Sequence, residues 1–148
     1  NQLVAEGLDF DQVVDVITTY QSKTKLLFVL AKVDNLVKNG RLSKLIGTVV
    51  GLLNIRMVGE ASKTGTLELL QKARGQKKAI KAAFDELIKA GYAGGHITIA
   101  HRNNEKFIEQ FSALVREKFA HAMIEVLPTS GLCSFYAEEG GLLMGYEI

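Results

Sequence analysis

Few residues of this chain have the type and spacing that metal or covalent chemistry needs. The sequence has one cysteine, Cys133, and three histidines, His96, His101 and His121. No two histidines stand four residues apart, so the spacing of a helical zinc site is absent. Cys133 follows Gly131-Leu132, and the neighbouring sequence offers no base that would activate a thiol nucleophile. We interpret Cys133 as a small residue in a tight loop near the opening of a ligand site.

The motifs of nucleotide-using enzymes are absent as well. The sequence contains neither the Gly-x-Gly-x-x-Gly run of dinucleotide-binding proteins nor a Walker-type phosphate loop. His101 ends a predicted strand, where functional loops often begin, and a satisfied structural histidine is the alternative interpretation. A hydrolase or transferase that uses Cys133 or His101 remains an open hypothesis, which a depressed thiol pKa in labelling experiments would support.

The most informative stretch is an almost wholly apolar run that follows a lone arginine. A short helix is predicted to end at Asn39-Gly40, a pair suited to a left-handed cap, and Arg41 follows at once. Residues 42–55 then include few polar side chains, whereas an ordinary surface helix has one apolar stripe. Gly47 and Gly51 lie on the same side of this predicted helix, where each costs about 1 kcal/mol relative to alanine.

Close approach of a ligand or of another backbone would offset that cost. The run therefore either packs plainly in the core, which periodicity alone favours, or makes room for an apolar guest. Arg41 would contact the polar end of the guest, or it would only complement the preceding helix C-terminus. Gly47→Leu is expected to block ligand binding while the fold stays intact. The predicted lining residues are Leu45, Ile46, Gly47, Val49, Val50, Gly51, Leu52 and Leu53.

A cluster of cations marks the start of another predicted helix. Its members are Lys72, Arg74, Lys77, Lys78 and Lys81. Nucleic-acid binding would need stacking aromatics or a matching basic stripe elsewhere, and neither is evident. A solvated helix face is the default interpretation. Because cations are unfavourable at a helix N-terminus, docking of an acidic partner is the functional alternative.

The periodicity of apolar residues predicts an α/β fold. Five helices are predicted. The first covers 10–20 after an Asp9 N-cap, the second ends at Gly40, and the third is the apolar run. The fourth covers 76–90, and the fifth begins after Asn103 or Asn104. The predicted strands are 26–31, 55–60, 66–70, 96–101, 122–127 and 142–148, and Pro128 ends the fifth. A hairpin at Thr64-Gly65 introduces antiparallel pairing, so we expect a two-layer α/β sandwich with a mixed six-stranded sheet. A ligand tail would enter between the helices and the sheet.

Length and composition fit one globular domain over residues 1–148. The chain is 47% hydrophobic and 23% charged, with a formal net charge of +2. These values allow a sizeable core and give too little charge to argue for nucleic acid. No apolar run reaches the length of a membrane span, no signal peptide is visible, and a single cysteine suits a reducing cytosol. Because the chain begins at Asn1 with a helical pattern, we expect a piece of a longer protein.

Several short motifs follow one another in an order that resembles a known family. They are Leu36-x-x-Asn39-Gly40-Arg41-Leu42-Ser43, Ile46-Gly47-x-x-x-Gly51-Leu52-Leu53-Asn54-Ile55, Ala73-Arg74-Gly75-Gln76-Lys77-Lys78-Ala79, and the strand end Ile99-Ala100-His101. Each motif alone is weak. Their order and spacing resemble the DegV family of bacterial fatty-acid-binding proteins over essentially the whole chain.

The resemblance implies that the chain is the C-terminal domain of a two-domain protein, in which the acyl chain lies buried. The absent N-terminal domain would hold the carboxylate through hydroxyl side chains. By position, Arg41 matches a family arginine near the ligand head group, and Arg74 matches one linked to docking of a kinase subunit. Many members have Gly-x-His in the last loop, but here Gly131-Leu132-Cys133 stands there and residues 134–139 lengthen the loop. A thiol cannot supply imidazolium charge, so the departure bears on the kinase role more than on lipid binding.

The residues and the resemblance together predict a non-catalytic, cytoplasmic fatty-acid-binding domain without cofactor or metal. Its ligand would be a long-chain fatty acid, contacted by Arg41, the apolar run, His101 and Cys133. Arg74, Lys77 and Lys78 would dock a fatty acid kinase subunit. The alternative is a protein-interaction module that acts through residues 72–81 without lipid cargo. Loss of the N-terminal domain would expose an apolar rim, through which the isolated chain would self-associate.

Overall fold

The computed structural model describes residues 2–42, 54–62 and 64–148, which form six helices and six strands. The helices are α1 (Gln2–Ala5), α2 (Phe10–Ser22), α3 (Asp34–Lys38), α4 (Gln76–Lys89), α5 (Glu105–Lys118) and α6 (Gly131–Ala137). The strands are β1 (Thr24–Leu30), β2 (Ile55–Ala61), β3 (Leu67–Arg74), β4 (His96–His101), β5 (Met123–Pro128) and β6 (Leu142–Glu147). The predicted apolar helix falls mainly on residues 43–53, outside the described ranges. Within those ranges every helix falls short of the length or apolarity that a membrane crossing requires.

The six strands form one mixed sheet in the order β3-β2-β1-β6-β4-β5. β4 and β5 pair in parallel, and the other neighbouring pairs are antiparallel. β1 and β6 are neighbours at the centre, with Thr24 opposite Glu147 and Val29 opposite Leu142. The predicted α/β class, the mixed six-stranded sheet and the hairpin between β2 and β3 are confirmed.

One face of the sheet carries the main core. Leu27 and Val29 of β1 and Met144 of β6 point to it and are 1% exposed or less. α4 and α5 cover this face with the apolar stripes that their sequences predict. The buried apolar residues of these two helices are Ala79, Ile80, Ala82, Ala83, Leu87, Phe107, Ile108, Phe111 and Val115.

A second apolar cluster lies on the opposite face of the same strands. Phe28 and Leu30 of β1 and Met57 of β2 belong to it, each next in sequence to a residue of the main core. α3 contributes Leu36 and α6 contributes Ala137, so these short helices cover one end of that face. A strand that serves two cores is apolar at consecutive positions, which explains the continuous apolar run of β1. The apolar interior is therefore divided between both faces rather than held in one layer.

Phe28 fits into the second apolar cluster because Gly59 on the neighbouring strand has no side chain. A Cβ atom at Gly59 would overlap the ring of Phe28 and the carbonyl oxygen of Glu68. The register between β2 and β3 shifts between Val58 and Gly59, as at a β-bulge. Glycine in this strand therefore marks a close approach of an aromatic ring to the backbone.

α2 forms as predicted, but its apolar stripe is not buried by the described part of the chain. Its capping box is complete: the Asp9 carboxylate accepts the N–H of Gln12 at 2.9 Å, and the Gln12 side chain accepts the N–H of Asp9 at 3.0 Å. Phe10, Val14 and Ile17 are nevertheless 79%, 44% and 53% exposed. An exposed apolar stripe of this kind is typical of a surface that another unit covers.

The end of α2 is tied to the last strand through Glu147. The Glu147 carboxylate accepts the Tyr20 hydroxyl at 2.8 Å and the backbone N–H of His96 at 3.1 Å. The bond from His96, followed by that from Tyr20, favours the charged form and lowers the pKa of Glu147 below its usual value. The hydrogen bond between Tyr20 and Glu147 also raises the pKa of the Tyr20 phenol.

The main correction to the predicted elements concerns the last connection. The sequence predicts a tight loop around Cys133 that residues 134–139 lengthen, but Gly131–Ala137 is the helix α6. Pro128 and Gly131, which has a positive φ of 46°, are turn signals. Seven residues are too few for helical periodicity to outweigh such signals, so the loop prediction was wrong.

Candidate functional site

A cavity of about 440 Å³ lies over the second apolar cluster, between the sheet and the helices α3 and α6. This volume falls within the range of roughly 300–1,000 Å³ that is typical of small-molecule sites. The described lining residues are Leu30, Leu36, Gly40, Arg41, Gly65, Thr66, Leu67, Leu132, Cys133, Tyr136, Ala137 and Leu143. Most of these residues are apolar and few are polar, which suits a ligand that is mostly hydrocarbon.

The sheet provides the floor of the cavity, and two short helices provide walls. Leu30 of β1, Leu143 of β6 and Leu67 of β3 lie on the floor. Leu36 of α3 and Tyr136 of α6 belong to the walls. Because these five side chains come from five different elements, the cavity exists only when the sheet and both helices have assembled.

Arg41 reaches the cavity because of the way α3 ends. Gly40 has a positive φ of 70°, and its N–H donates to the carbonyl of Val37 at 3.1 Å. The N–H of Arg41 donates to the carbonyl of Leu36 at 2.8 Å. These two bonds form a Schellman motif, so the predicted left-handed cap is confirmed, and it places Arg41 among the lining residues.

The guanidinium of Arg41 is held against Tyr136. Its Nε–H donates to the phenolic oxygen of Tyr136 at 3.0 Å, and its Cζ lies 5.0 Å from the ring centroid. Arg41 is exposed, and among the described residues no carboxylate forms an ion pair with it. The arrangement presents a positive charge beside an apolar cavity, which complements an acidic head group on a hydrocarbon tail.

Cys133 and Thr66 add two small polar side chains to the same cavity. Cys133 stands in the first turn of α6 with an exposed thiol. Thr66 lies in the turn of the β2–β3 hairpin, and its hydroxyl lies 2.7 Å from that of Ser62. The structure thus places Arg41 and Cys133, two of the predicted ligand-binding residues, at one cavity, while their contact with a ligand stays a prediction.

His101 is not among the described residues that line the cavity. Its Nδ1 accepts the N–H of Asn104 at 3.2 Å at the start of α5, and its carbonyl accepts the N–H of Thr129 at 2.9 Å. The side chain therefore helps to join β4 to α5, and ligand binding by His101 stays a prediction. Within residues 2–42, 54–62 and 64–148, no three His, Cys, Asp or Glu side chains are grouped as metal ligands.

The apolar run that the sequence places at the ligand lies outside the described residues. Leu42, just before it, belongs to the second apolar cluster, and Asn54, just after it, accepts the N–H of Gly75 at 2.7 Å. Contact of the run with a ligand therefore stays a prediction. The residues concerned are Leu45, Ile46, Gly47, Val49, Val50, Gly51, Leu52 and Leu53.

Four exposed cations, Lys72, Arg74, Lys77 and Lys78, lie close together in the sequence, and we call this set the basic face. β3 ends at Arg74 and α4 begins two residues later, so the face joins a strand end to a helix start. In the described ranges none of the four pairs with a carboxylate, whereas Lys81 pairs with Asp85 at 2.9 Å. Because the α4 dipole opposes cations in its first turn, the basic face suits an acidic partner better than it suits helix stability.

A wider hollow of about 1170 Å³ lies towards the other end of the same sheet face. Its lining includes Tyr20 of α2, Leu26 of β1, Glu60 of β2 and Glu147 of β6. The carboxylates and hydroxyls of this hollow make it a poorer site for hydrocarbon than the smaller cavity. We therefore take the smaller cavity as the candidate ligand site.

The sequence reasoning identified Cys133 of α6 but missed the two larger side chains of that helix at the site. Leu132 and Tyr136 line the cavity, and neither was among the predicted ligand-binding residues. The available signal was the spacing of Leu132, Phe135 and Tyr136, which puts three apolar side chains on one side of a helix. That signal spans little more than one turn, which is why it was not recognised.

The similarity of the chain to known proteins agrees with this geometry. The family model described as "Uncharacterised protein, DegV family" matches residues 1–146. A DegV domain-containing protein from Streptococcus gordonii is 76% identical over 148 residues, which are all of this chain and 53% of that protein. One from Streptococcus pyogenes serotype M1 is 65% identical over 147 residues, covering 99% of this chain and 52% of that protein. The chain thus spans about half the length of the curated relatives that it matches.

Solved structures match the fold closely. The crystal structure of the Streptococcus pneumoniae Fatty Acid Kinase (Fak) B3 protein loaded with linoleic acid has a TM-score of 0.97 and 76% identity, covering 100% of this chain and 53% of that chain. A DegV family protein from Eubacterium eligens loaded with heptadecanoic acid has a TM-score of 0.93 and 36% identity, covering 99% of this chain and 53% of that chain. The family model, the close relatives and the shared six-stranded fold agree with the motifs around Arg41 and Arg74, and this chain belongs to the DegV family.

Proposed function

We propose that this chain holds the hydrocarbon tail of a long-chain fatty acid in the cavity between the sheet, α3 and α6. The observation that carries the proposal is the cavity itself, which has mainly leucine side chains on its floor and walls and Arg41 among them. The relatives from S. pneumoniae and E. eligens are loaded with linoleic and heptadecanoic acid. Their fold matches that of this chain, which supports the same class of ligand here.

Burial of the tail supplies enough free energy for useful affinity. Each buried methylene contributes about 0.8 kcal/mol, so roughly fourteen of them contribute ~11 kcal/mol before costs. Lost freedom of motion costs at least about 4 kcal/mol. The difference corresponds to a Kd on the order of 10 µM before any contact with the carboxylate, and attraction to Arg41 would tighten it.

The carboxylate end is completed, in this proposal, by a domain outside the 148 residues, which would make this chain the acyl-tail half of a two-domain protein. The relatives are about twice as long as this chain, which leaves room for a second domain. Two surfaces support the presence of such a domain, because it could cover them: the exposed apolar stripe of α2 and the wide hollow. Tyr20 belongs to both surfaces. In isolation the same surfaces would favour self-association of the chain.

The protein binds and presents the fatty acid without catalysing a reaction itself, and a separate kinase subunit acts on the carboxylate. The name of the S. pneumoniae relative places that protein in a fatty acid kinase. The basic face supports docking of an acidic partner surface, with Arg74, Lys77 and Lys78 as the contacts. Cys133 replaces the histidine that the family resemblance leads one to expect, so presentation depends on Arg41, the one cation among the described residues that line the cavity.

Extraction of small molecules from the purified full-length protein tests the proposal. Mass spectrometry should recover long-chain fatty acid in about equimolar amount, because apolar burial makes its release slow. A delipidated sample should also rebind linoleic acid. Protein that carries no fatty acid from cells and does not bind linoleic acid in solution would refute the proposal.

A protein-interaction module without lipid cargo is the second candidate function. The basic face favours it, because its cations form no ion pair within the described part of the chain. Under this alternative, lipid-free protein would still bind its partner, and charge reversal at Arg74 and Lys77 would abolish that binding. Under the main proposal, only lipid-loaded protein supports the kinase reaction. Comparing the partner's response to loaded and delipidated protein therefore separates the two functions.

A further inference from the structure

We propose that Asn35 and Glu138 form a latch between α3 and α6, and that this latch sets how fast an acyl chain leaves the cavity. Neither residue is among the described lining residues, so both act as positioning residues rather than as ligand contacts. The inference rests on the proposed function, because it assumes that the cavity holds a fatty acid.

Glu138 caps the start of α3 from a distant part of the sequence. Val33, the N-cap residue of α3, makes no side-chain bond to the first turn. The Oε1 atom of Glu138 accepts the N–H of Asn35 at 2.8 Å instead. Glu138 is only 9% exposed, and its φ of +54° is rare for a residue other than glycine. The turn that ends α6 therefore holds a buried carboxylate against α3, in a backbone conformation that the surrounding contacts must stabilise.

Asn35 makes the reciprocal bond to α6. Its Nδ2 donates to the carbonyl of Phe135 at 2.8 Å, in the last turn of α6, where carbonyls lack partners within the helix. Each helix thus supplies a cap for the other. Helices of five and seven residues are not stable alone, so the two caps make α3 and α6 one cooperative unit.

The latch joins the two walls of the cavity. α3 carries Leu36 and leads into Arg41, while α6 carries Leu132 and Tyr136, and all four line the cavity. The hydrogen bond between Arg41 and Tyr136 links the same two elements at an exposed position. Water competes with that exposed bond more than with the part-buried bond of Glu138. Opening of the latch separates the walls and gives the tail a path out.

Glu139 offers a matched control for Glu138. It is exposed, its carboxylate lies 3.8 Å from Nε of Arg102, and it accepts an N–H of the Asn103 side chain at 3.2 Å. In the described part of the chain it makes no bond to α3. Removal of Glu139 therefore changes the same turn and the same charge without opening the latch.

The test measures release of a naturally fluorescent polyene fatty acid from the full-length protein by stopped flow. Loss of the Glu138 cap should raise the release rate about tenfold in E138A. N35A keeps the backbone N–H that Glu138 accepts and loses only the exposed bond to the Phe135 carbonyl, so its release rate should rise less, by about threefold. E138Q keeps an oxygen that accepts the N–H of Asn35, so its release rate should stay within about threefold of wild type. The double variant should release no faster than E138A, because loss of the buried Glu138 bond already opens the latch.

Two controls distinguish a latch from general loosening. Glu139→Ala should release at the wild-type rate. Val115→Ala removes volume from the fully buried main core and lowers the melting temperature, yet its release rate should not change. The latch is refuted if E138A and N35A release the acid at the wild-type rate, or if V115A accelerates release as much as they do. Failure of the wild-type protein to bind the acid would instead refute the proposed function.

Discussion

Replacement of Leu143 by tryptophan tests whether the cavity under α6 is the acyl site. Leu143 lines the cavity and packs against the second apolar cluster. It lies between Phe28 of β1 and Ala100 of β4 in the sheet. Because side chains alternate along a strand, an indole at this position extends into the cavity and not into the main core.

The expected effect follows from the hydrocarbon that the indole displaces. A tryptophan ring takes up the space of roughly two to three methylenes of the ligand, each worth about 0.8 kcal/mol. The loss of about 2 kcal/mol corresponds to a roughly 30-fold rise in the Kd for linoleic acid. Octanoic acid fills less of the cavity, so its affinity should change much less.

The assay is displacement of a fluorescent fatty acid from delipidated full-length protein, with thermal melting to check the fold. Leu127→Trp is the matched control, because Leu127 is an exposed residue of β5 that is not among the described lining residues. A folded L143W protein that binds linoleic acid as tightly as wild type would refute the assignment of the cavity. An equal loss of affinity in L127W would refute it as well.

Three further predictions follow from the site and its surroundings. Arg41→Leu should weaken fatty acid binding by about 1 kcal/mol, or five- to tenfold, without affecting the methyl ester; Tyr136→Phe should cost less, and equal losses for acid and ester in titrations would contradict a head-group role. Charge reversal at Arg74 and Lys77 should abolish kinase-subunit binding in a pull-down at unchanged lipid content, and should raise the melting temperature slightly because acidic residues suit a helix start; retained binding would contradict docking there. Glu147 has a lowered pKa in the folded state, so its stabilising contribution is present above the ordinary glutamate pKa of 4.5 and is lost as the pH falls through the lowered value. The difference in free energy of unfolding between wild type and Glu147→Gln should therefore be smaller at pH 3 than at pH 7, and an equal difference at both pH values would contradict this prediction.

The sequence predicts elements well where one periodic signal is long and uninterrupted. β4 has the predicted bounds of 96–101, because Ile97 and Ile99 alternate with less buried residues. α2 also forms where it is predicted, but the exposure of Phe10 is not encoded locally. Burial of an apolar stripe depends on what packs against it, and that partner is not specified by the stripe.

The site was predictable where it rests on local backbone chemistry. Glycine adopts a left-handed cap at little cost, so the turn at Gly40 that delivers Arg41 could be inferred from the sequence. Its partner Tyr136 could not, because the two residues are 95 positions apart and meet only in the folded sheet. The same holds for Asn35 and Glu138, whose bond joins elements that have no common sequence pattern.

The central pairing of β1 with β6 has a consequence for biosynthesis. The two strands lie side by side although more than a hundred residues separate them in the sequence. Until β6 joins the sheet, the β2–β3 hairpin and the β4–α5–β5 unit can form, but β1 and β4 each keep an unpaired edge. Unpaired apolar strands recruit other strands, so the nascent protein is prone to aggregate until β6 closes the sheet. Translation that stops before Leu142 leaves two half-sheets that cannot join, and such chains should depend on chaperones or be degraded.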